Sequence, residues 1–146
     1  MSLFTRIEVG ESFQTKGRTL TETDLMNFAG ISGDFNYLHT DAERMEESEY
    51  GERIIHGALL FSIMTGLLWQ SRSEQDQDAI VAFYGIDRLR FVKPVFLDDT
   101  IHVESKVLET EQRDHPIANG LIRYDLQVKN QHGNVVLACE FLSLVR

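Results

Sequence analysis

The sequence predicts an α+β fold in which one long buried helix is followed by a curved antiparallel sheet of about five strands. Three observations carry that prediction. The stretch Gly57–Trp69 is apolar nearly all round, a pattern that belongs to a helix inside a fold. Ile122, Tyr124, Leu126 and Val128 alternate with Arg123, Asp125, Gln127 and Lys129, the two-residue period of a half-buried strand. Asn130–Asn134, with Gly133, forms a hairpin turn into a further apolar run, Val135–Val145. At 146 residues the chain fits one domain, residues 1–146, long enough to bury a sizeable core.

The remaining elements follow in order. One further strand is expected near Glu8–Arg18. Residues 19–31 read as a helix opened by Thr21-Glu22-Thr23-Asp24, a capping box with Asp where Glu is commoner. Leu25, Phe28 and Ala29 follow at helical spacing, and Gly30 or Gly33 ends the segment. Asp41–Glu49 is a short charged helix or loop whose run Glu46-Glu47-Ser48-Glu49 is a solvated face. Within the apolar helix, Leu59, Leu60, Ile63, Met64, Leu67 and Leu68 form the bulk, while Ala58, Ser62 and Gly66 make a small-residue stripe. Ser71–Asp78 is the connecting loop to a strand from about Ala79 to Val92. Asp98-Asp99 marks a turn, after which Ile101, Val103 and Val107 alternate with His102, Glu104 and Lys106. Asp114-His115-Pro116 marks the next turn. A helix wrapped by a strongly curved antiparallel sheet is the hot-dog architecture. Other α+β folds share this order, and periodicity leaves the choice open.

Composition narrows the partners. A net charge of −9 and a pI near 4.9 argue against nucleic acid and anionic membranes, which need a basic surface. An anionic ligand requires a local basic patch, and Arg88, Arg90 and Lys93 are the one cluster beside the expected ligand-facing elements. They equally fit the exposed side of a strand. The single cysteine, Cys139, allows no internal disulfide and fits a reducing compartment. Its apolar setting makes it a buried strand residue. Met1–Ser12 lacks the apolar core of a signal peptide, and no run approaches the roughly 20 apolar residues of a membrane span. A soluble cytoplasmic protein is expected. No metal is expected either: His56 with His39 and Asp34 matches no standard zinc spacing. His102, His115 and His132 fall in strand or turn contexts at the surface. The chain has no Gly-rich phosphate loop, no G-x-S-x-G elbow and no dinucleotide fingerprint.

Two short stretches carry chemistry. Ser32-Gly33-Asp34-Phe35-Asn36-Tyr37-Leu38-His39 sets a carboxylate and an imidazole five residues apart on a glycine-flanked turn. Ile55-His56-Gly57-Ala58 puts a glycine at the mouth of the apolar helix. Five residues along a regular helix would separate Asp34 and His39 by roughly 140°, so a turn is needed if both are to face one water. Asp34 (ordinary pKa about 3.9) and His39 (about 6.5) can divide acid and base work near neutral pH. Gly57 opens a buried helix, where free N–H groups and the positive dipole end favour an oxyanion. Which of Asp34 and His39 acts as base stays open at this point.

The run Phe28–His39 resembles the signature of the MaoC-like, (R)-specific enoyl-CoA hydratases, the hydratase 2 family, roughly G-D-x-N-P-[LIV]-H. Gly33, Asp34, Asn36, Leu38 and His39 match; Tyr37 stands where the family has proline. His56-Gly57 before the apolar helix is similar too, as is Leu89-Arg90-Phe91-Val92-Lys93-Pro94-Val95-Phe96 before Asp98-Asp99-Thr100. The resemblance spans about Ile7 to Val145. It implies a hot-dog fold, a homodimer with sites near the interface, and a CoA or acyl carrier protein thioester as substrate. No cofactor is implied beyond the CoA or phosphopantetheine of the substrate. It further implies that Asp34 and His39 act on one catalytic water and that the Gly57 N–H polarises the thioester carbonyl. Asn36 then fixes the turn or orients the pair. Independently of the resemblance, Ser62 lines the acyl site or bonds its own helix, and Arg88, Arg90 and Lys93, by their charge, meet the CoA phosphates or form the exposed side of a strand. A hot-dog thioesterase and a non-catalytic acyl-thioester binding module are the alternatives, and the paired Asp34 and His39 favour hydration.

Overall fold

The computed structural model describes residues 1–146. A first turn of helix, α1 (Leu3–Arg6), precedes two short strands, β1 (Ser12–Gln14) and β2 (Arg18–Thr19). The expected single strand at 8–18 is thus split. The break falls at Thr15, which is buried and whose N–H and hydroxyl both pair with the Val103 backbone at 2.9 Å. Helix α2 (Glu22–Ser32) begins with the expected box: the Thr21 hydroxyl accepts from the Asp24 N–H and the Asp24 carboxylate accepts from the Thr21 N–H. Gly33, at φ 77°, closes it in the left-handed conformation that glycine takes without strain. Two short helices follow, α3 (Tyr37–Thr40) and α4 (Ala42–Glu46).

Helix α5 (Gly57–Gln70) is the long apolar helix. Leu59, Leu60, Ile63, Met64, Leu67 and Leu68 are buried in one core with Val103, Ile122, Leu126, Val128, Leu137 and Phe141 of the sheet. The opposite side of α5 is open: Ala58, Ser62 and Trp69 are exposed. Ser71–Asp78 is only partly a loop, because α6 (Glu74–Ala79) occupies its second half under a Ser73 cap. No residue of α6 is buried, so hydrophobic period gave no sign of it.

Four long strands make the sheet: β3 (Ile80–Phe91), β4 (Thr100–His115), β5 (Ala118–Lys129) and β6 (Val135–Val145). The order is β1-β4-β5-β6-β3, all antiparallel, with β2 also on β4, six strands in place of about five. Strand β3 is therefore a free edge. Its register on β6 shifts between Asp87 and Arg90, where Arg88 takes φ 54°. Cys139 lies inside the core, and burial pushes its thiol up to about 11, so it is inert at neutral pH. No helix is long and apolar enough to cross a membrane.

Candidate active site

The Asp34 loop is held by a staircase of side-chain-to-backbone bonds. The Asp34 N–H donates to the Ser32 hydroxyl (3.1 Å), the Asn36 N–H to Asp34 Oδ1 (3.1 Å) and the Leu38 N–H to Asn36 Oδ1 (2.9 Å). Each step spans two residues, the geometry that Asp, Asn and Ser side chains favour in turns. The Thr40 hydroxyl donates to the carbonyls of Phe35 and Asn36. Asn36 is also the N-cap of α3, so Tyr37 opens that helix. The Arg44 guanidinium lies 3.5 Å from the Tyr37 ring centroid, a cation–π contact.

Segment Ile54–Ile55 joins this loop to the connection between β3 and β4, where Ile54 bridges Phe96. The Ile54 N–H donates to the Leu38 carbonyl (3.0 Å) and the Ile55 N–H to the Val95 carbonyl (2.7 Å). The Ile54 carbonyl lies 2.7 Å from His39 Nδ1. A carbonyl oxygen only accepts, so Nδ1 carries the hydrogen and Nε2 presents a lone pair. His39 Nε2 stands 4.0 Å from Asp34 Oδ2. That is too long for a hydrogen bond, but one water about 2.8 Å from each atom closes the gap with an angle near 90° at its oxygen. His39 is buried, whereas the Asp34 carboxyl is half-exposed. Burial is the largest influence on the His39 imidazole and pulls its pKa below the ordinary value; the Ile54 carbonyl and Asp34 oppose it and His56 adds to it.

Gly57 is the first residue of α5, and its N-cap, His56, makes no side-chain cap. The first N–H groups of a helix have no intrahelical acceptor, and here no N-cap side chain supplies one. A Cβ on Gly57 would come within 2.9 Å of the Phe91 ring, so glycine lets the end of β3 lie against the helix mouth. His39 and Gly57 line one cavity of about 380 Å³, walled on the apolar side by Ile55, Leu60, Phe91 and Val95, with Tyr50 and Lys93 also on its surface.

The structure thus sets Asp34 beside His39 and His39 beside Gly57 on one cavity, with Asn36 as the turn-former and Lys93 on the cavity wall. Ser62 is not part of the group. It is exposed and its hydroxyl donates to the Ala58 carbonyl at 2.8 Å. Five residues after Gly57 it points about 140° away around the helix, whereas Leu60, three residues on, returns to the cavity side. Arg88 is not part of it either. At the β3 irregularity its guanidinium pairs with Glu140 at 2.8 Å and lines a polar recess with Asp87, Glu109 and Arg123. Arg90 donates to the Arg88 carbonyl. Sequence reasoning missed the Ile54 carbonyl and Tyr50, placed Phe91 and His56 only within family-like runs, and gave His56 no role beyond a metal-ligand reading. Backbone carbonyls leave no trace in a sequence, and nothing local to Tyr50 marks it as a cavity residue.

Asp34, His39 and His56 each place one potential ligand atom within 4.8 Å of the others. The two imidazoles are stacked, with centroids 3.7 Å apart and planes 23° apart. Their lone pairs lie in the ring planes, so they run side by side rather than converge on one ion about 2.1 Å from each nitrogen.

The chain is similar to several known proteins. Residues 5–130 match the model of the MaoC like domain. The chain is 43% identical over 100 residues to Protein MaoC of Klebsiella aerogenes, a stretch that is 68% of this chain and 29% of that protein. It is 32% identical over 112 residues to the (R)-specific enoyl-CoA hydratase of Aeromonas caviae, covering 77% of this chain and 78% of that one. Among solved structures, a monoamine oxidase regulatory protein from Archaeoglobus fulgidus superposes with a TM-score of 0.91 at 39% identity, covering 98% of this chain and 93% of that one. The (R)-hydratase of Aeromonas caviae involved in PHA biosynthesis superposes with a TM-score of 0.78 at 26% identity, covering 96% and 98%. With its hot-dog fold and a matching model over most of its length, the chain belongs to the MaoC-like domain family of hydratases and dehydratases.

Proposed function

We propose that this protein reversibly hydrates trans-2-enoyl thioesters, with CoA as the carrier, to (R)-3-hydroxyacyl thioesters. The observation that carries the reading is the pair His39 Nε2 and Asp34 Oδ2, facing each other 4.0 Å apart with the imidazole lone pair set free by Ile54. A water between them donates one O–H to each. As its oxygen adds to C3, His39 Nε2 takes one proton, Asp34 holds the other hydrogen and faces the imidazolium, and the C2=C3 electron pair shifts toward the carbonyl. The charge on the thioester oxygen meets the Gly57 N–H at the positive end of α5. His39 then returns its proton to C2, and the net change is one water across the double bond. The (R) outcome rests on the relative from Aeromonas caviae, which is an (R)-specific enoyl-CoA hydratase.

The apolar wall of the cavity suits an acyl chain, and Lys93 is the cation placed to meet a phosphate of the CoA arm. Asn36 acts through the turn, since its Oδ1 is taken by Leu38. The working unit in this reading is a homodimer. Edge strand β3 exposes Phe83, Tyr84 and Phe91 at 49%, 56% and 51%, and the open side of α5 adds Trp69. Apolar groups of this size on a free sheet edge favour pairing with a second copy, and Phe91 carries that surface to the site.

Ultraviolet absorbance of the conjugated thioester tests the activity on crotonyl-CoA and longer trans-2-enoyl-CoAs. Loss of absorbance with formation of the (R)-alcohol is expected. Release of free thiol without hydration would contradict the reading and favour thioester hydrolysis.

A further inference from the structure

His56 is a buried polar side chain that the hydration reading leaves without a task. It is 2% exposed. Its Nε2 lies 2.9 Å from the backbone carbonyl oxygen of Asp34, so that nitrogen carries the hydrogen, and Nδ1 has no partner. One face of the ring stacks on His39 at 3.7 Å, and Phe28 of α2 meets it edge-on at 5.0 Å. Along the chain it precedes Gly57 directly.

We propose that His56 is a positioning residue that locks the Asp34 backbone, the His39 ring plane and the Gly57 amide into one frame. The proposal rests on the acid–base reading of Asp34 and His39. Each contact fixes a different degree of freedom. Asp34 sits on a loop with a half-exposed carboxyl, and its backbone is anchored from inside the protein by the His56 N–H across 22 residues. His39 is fixed at Nδ1 by Ile54, which leaves rotation about that bond, and the stacked His56 ring limits it. Gly57 follows His56 in the chain, so the turn that aims the first N–H of α5 is set by the same residue. A polar side chain buried with one nitrogen unpaired costs stability, and a phenyl ring of similar shape would stack without that cost. The donor at Nε2 is what a phenyl ring lacks.

Two substitutions separate the donor from the stack. His56→Phe keeps a ring against His39 and removes the N–H. His56→Gln keeps an N–H at the reach of Nε2 and removes the ring. On a trans-2-enoyl-CoA, His56→Phe is expected to lower kcat by about 100-fold with KM changed less than about threefold. His56→Gln is expected to retain more activity than His56→Phe. A folded His56→Phe protein within about twofold of wild-type kcat, or a loss confined to KM, would overturn the proposal. Nitrogen-15 spectra of the wild-type imidazoles give a second readout that needs no turnover and no variant. They are expected to show His56 protonated at Nε2 and His39 at Nδ1, and the opposite His56 tautomer would also overturn it. A wild type silent on every enoyl thioester would defeat the hydration reading, while the tautomer measurement would still decide whether His56 holds Asp34.

Discussion

His39 owes its behaviour to opposing demands on one ring. Burial disfavours the imidazolium, while the Ile54 carbonyl and Asp34 favour it, and burial wins, so its pKa lies below 6.5. In the unfolded chain the same group titrates at about 6.5. Between those two values the unfolded state binds the proton and the folded state resists it, so stability falls as pH drops through the window and levels off below the folded value. Urea midpoints measured from pH 7.5 downward should show this loss, and His39→Gln should flatten it; parallel curves for the two proteins would contradict the assignment. The juxtaposition of Asp34 and His39 was legible in the sequence because both side chains are ionisable and the glycine beside them marks a turn. The Ile54 carbonyl and the His56 N–H were not. Their bonds close loops of 15 and 22 residues, and no local pattern records such closures.

At the scale of elements, the loop between α2 and α3 shows how a turn without the family's proline is kept in place. Tyr37 is the first residue of α3, a position where proline is favoured. Asn36 before it sits at φ −53° and ψ 142°, a conformation compatible with a following proline. The Ser32, Asp34 and Asn36 side chains already brace the turn, and the Tyr37–Arg44 contact adds to it. Tyr37→Pro should therefore gain about 0.4–1 kcal/mol by restricting the unfolded chain and lose about 0.5–1 kcal/mol of cation–π attraction. The net shift in unfolding free energy is expected to stay within about 1 kcal/mol, with activity retained; a loss of several kcal/mol would show that the Tyr37 side chain holds the loop. Helix α5 was legible from thirteen consecutive residues of apolar sequence, Gly57–Trp69, and β5 from its alternation. Helix α6 and the split of the first strand were not, because α6 buries no residue and Thr15 breaks its strand through a hydroxyl that doubles as a backbone partner.

At the scale of the molecule, the sheet ends on a twelve-residue strand, β3, whose outer edge has no neighbour. The sequence named β3 but not its edge position, which depends on the pairing order of all the long strands. If β3 and the open side of α5 meet a second copy, sedimentation should give a dimer, and Tyr84→Lys should shift it toward monomer by placing a charge in the contact. A wild-type monomer at micromolar concentration would contradict that arrangement. The central claim concerns the water between Asp34 and His39, and turnover of an enoyl-CoA by Asp34→Asn, His39→Gln and the double variant tests it most directly. Groups that act on one water fail together. Each single variant should lose about 100-fold or more in kcat, and the double variant should be no worse than the poorer single one. Losses that multiply in the double variant would show that Asp34 and His39 work independently and would contradict the shared water.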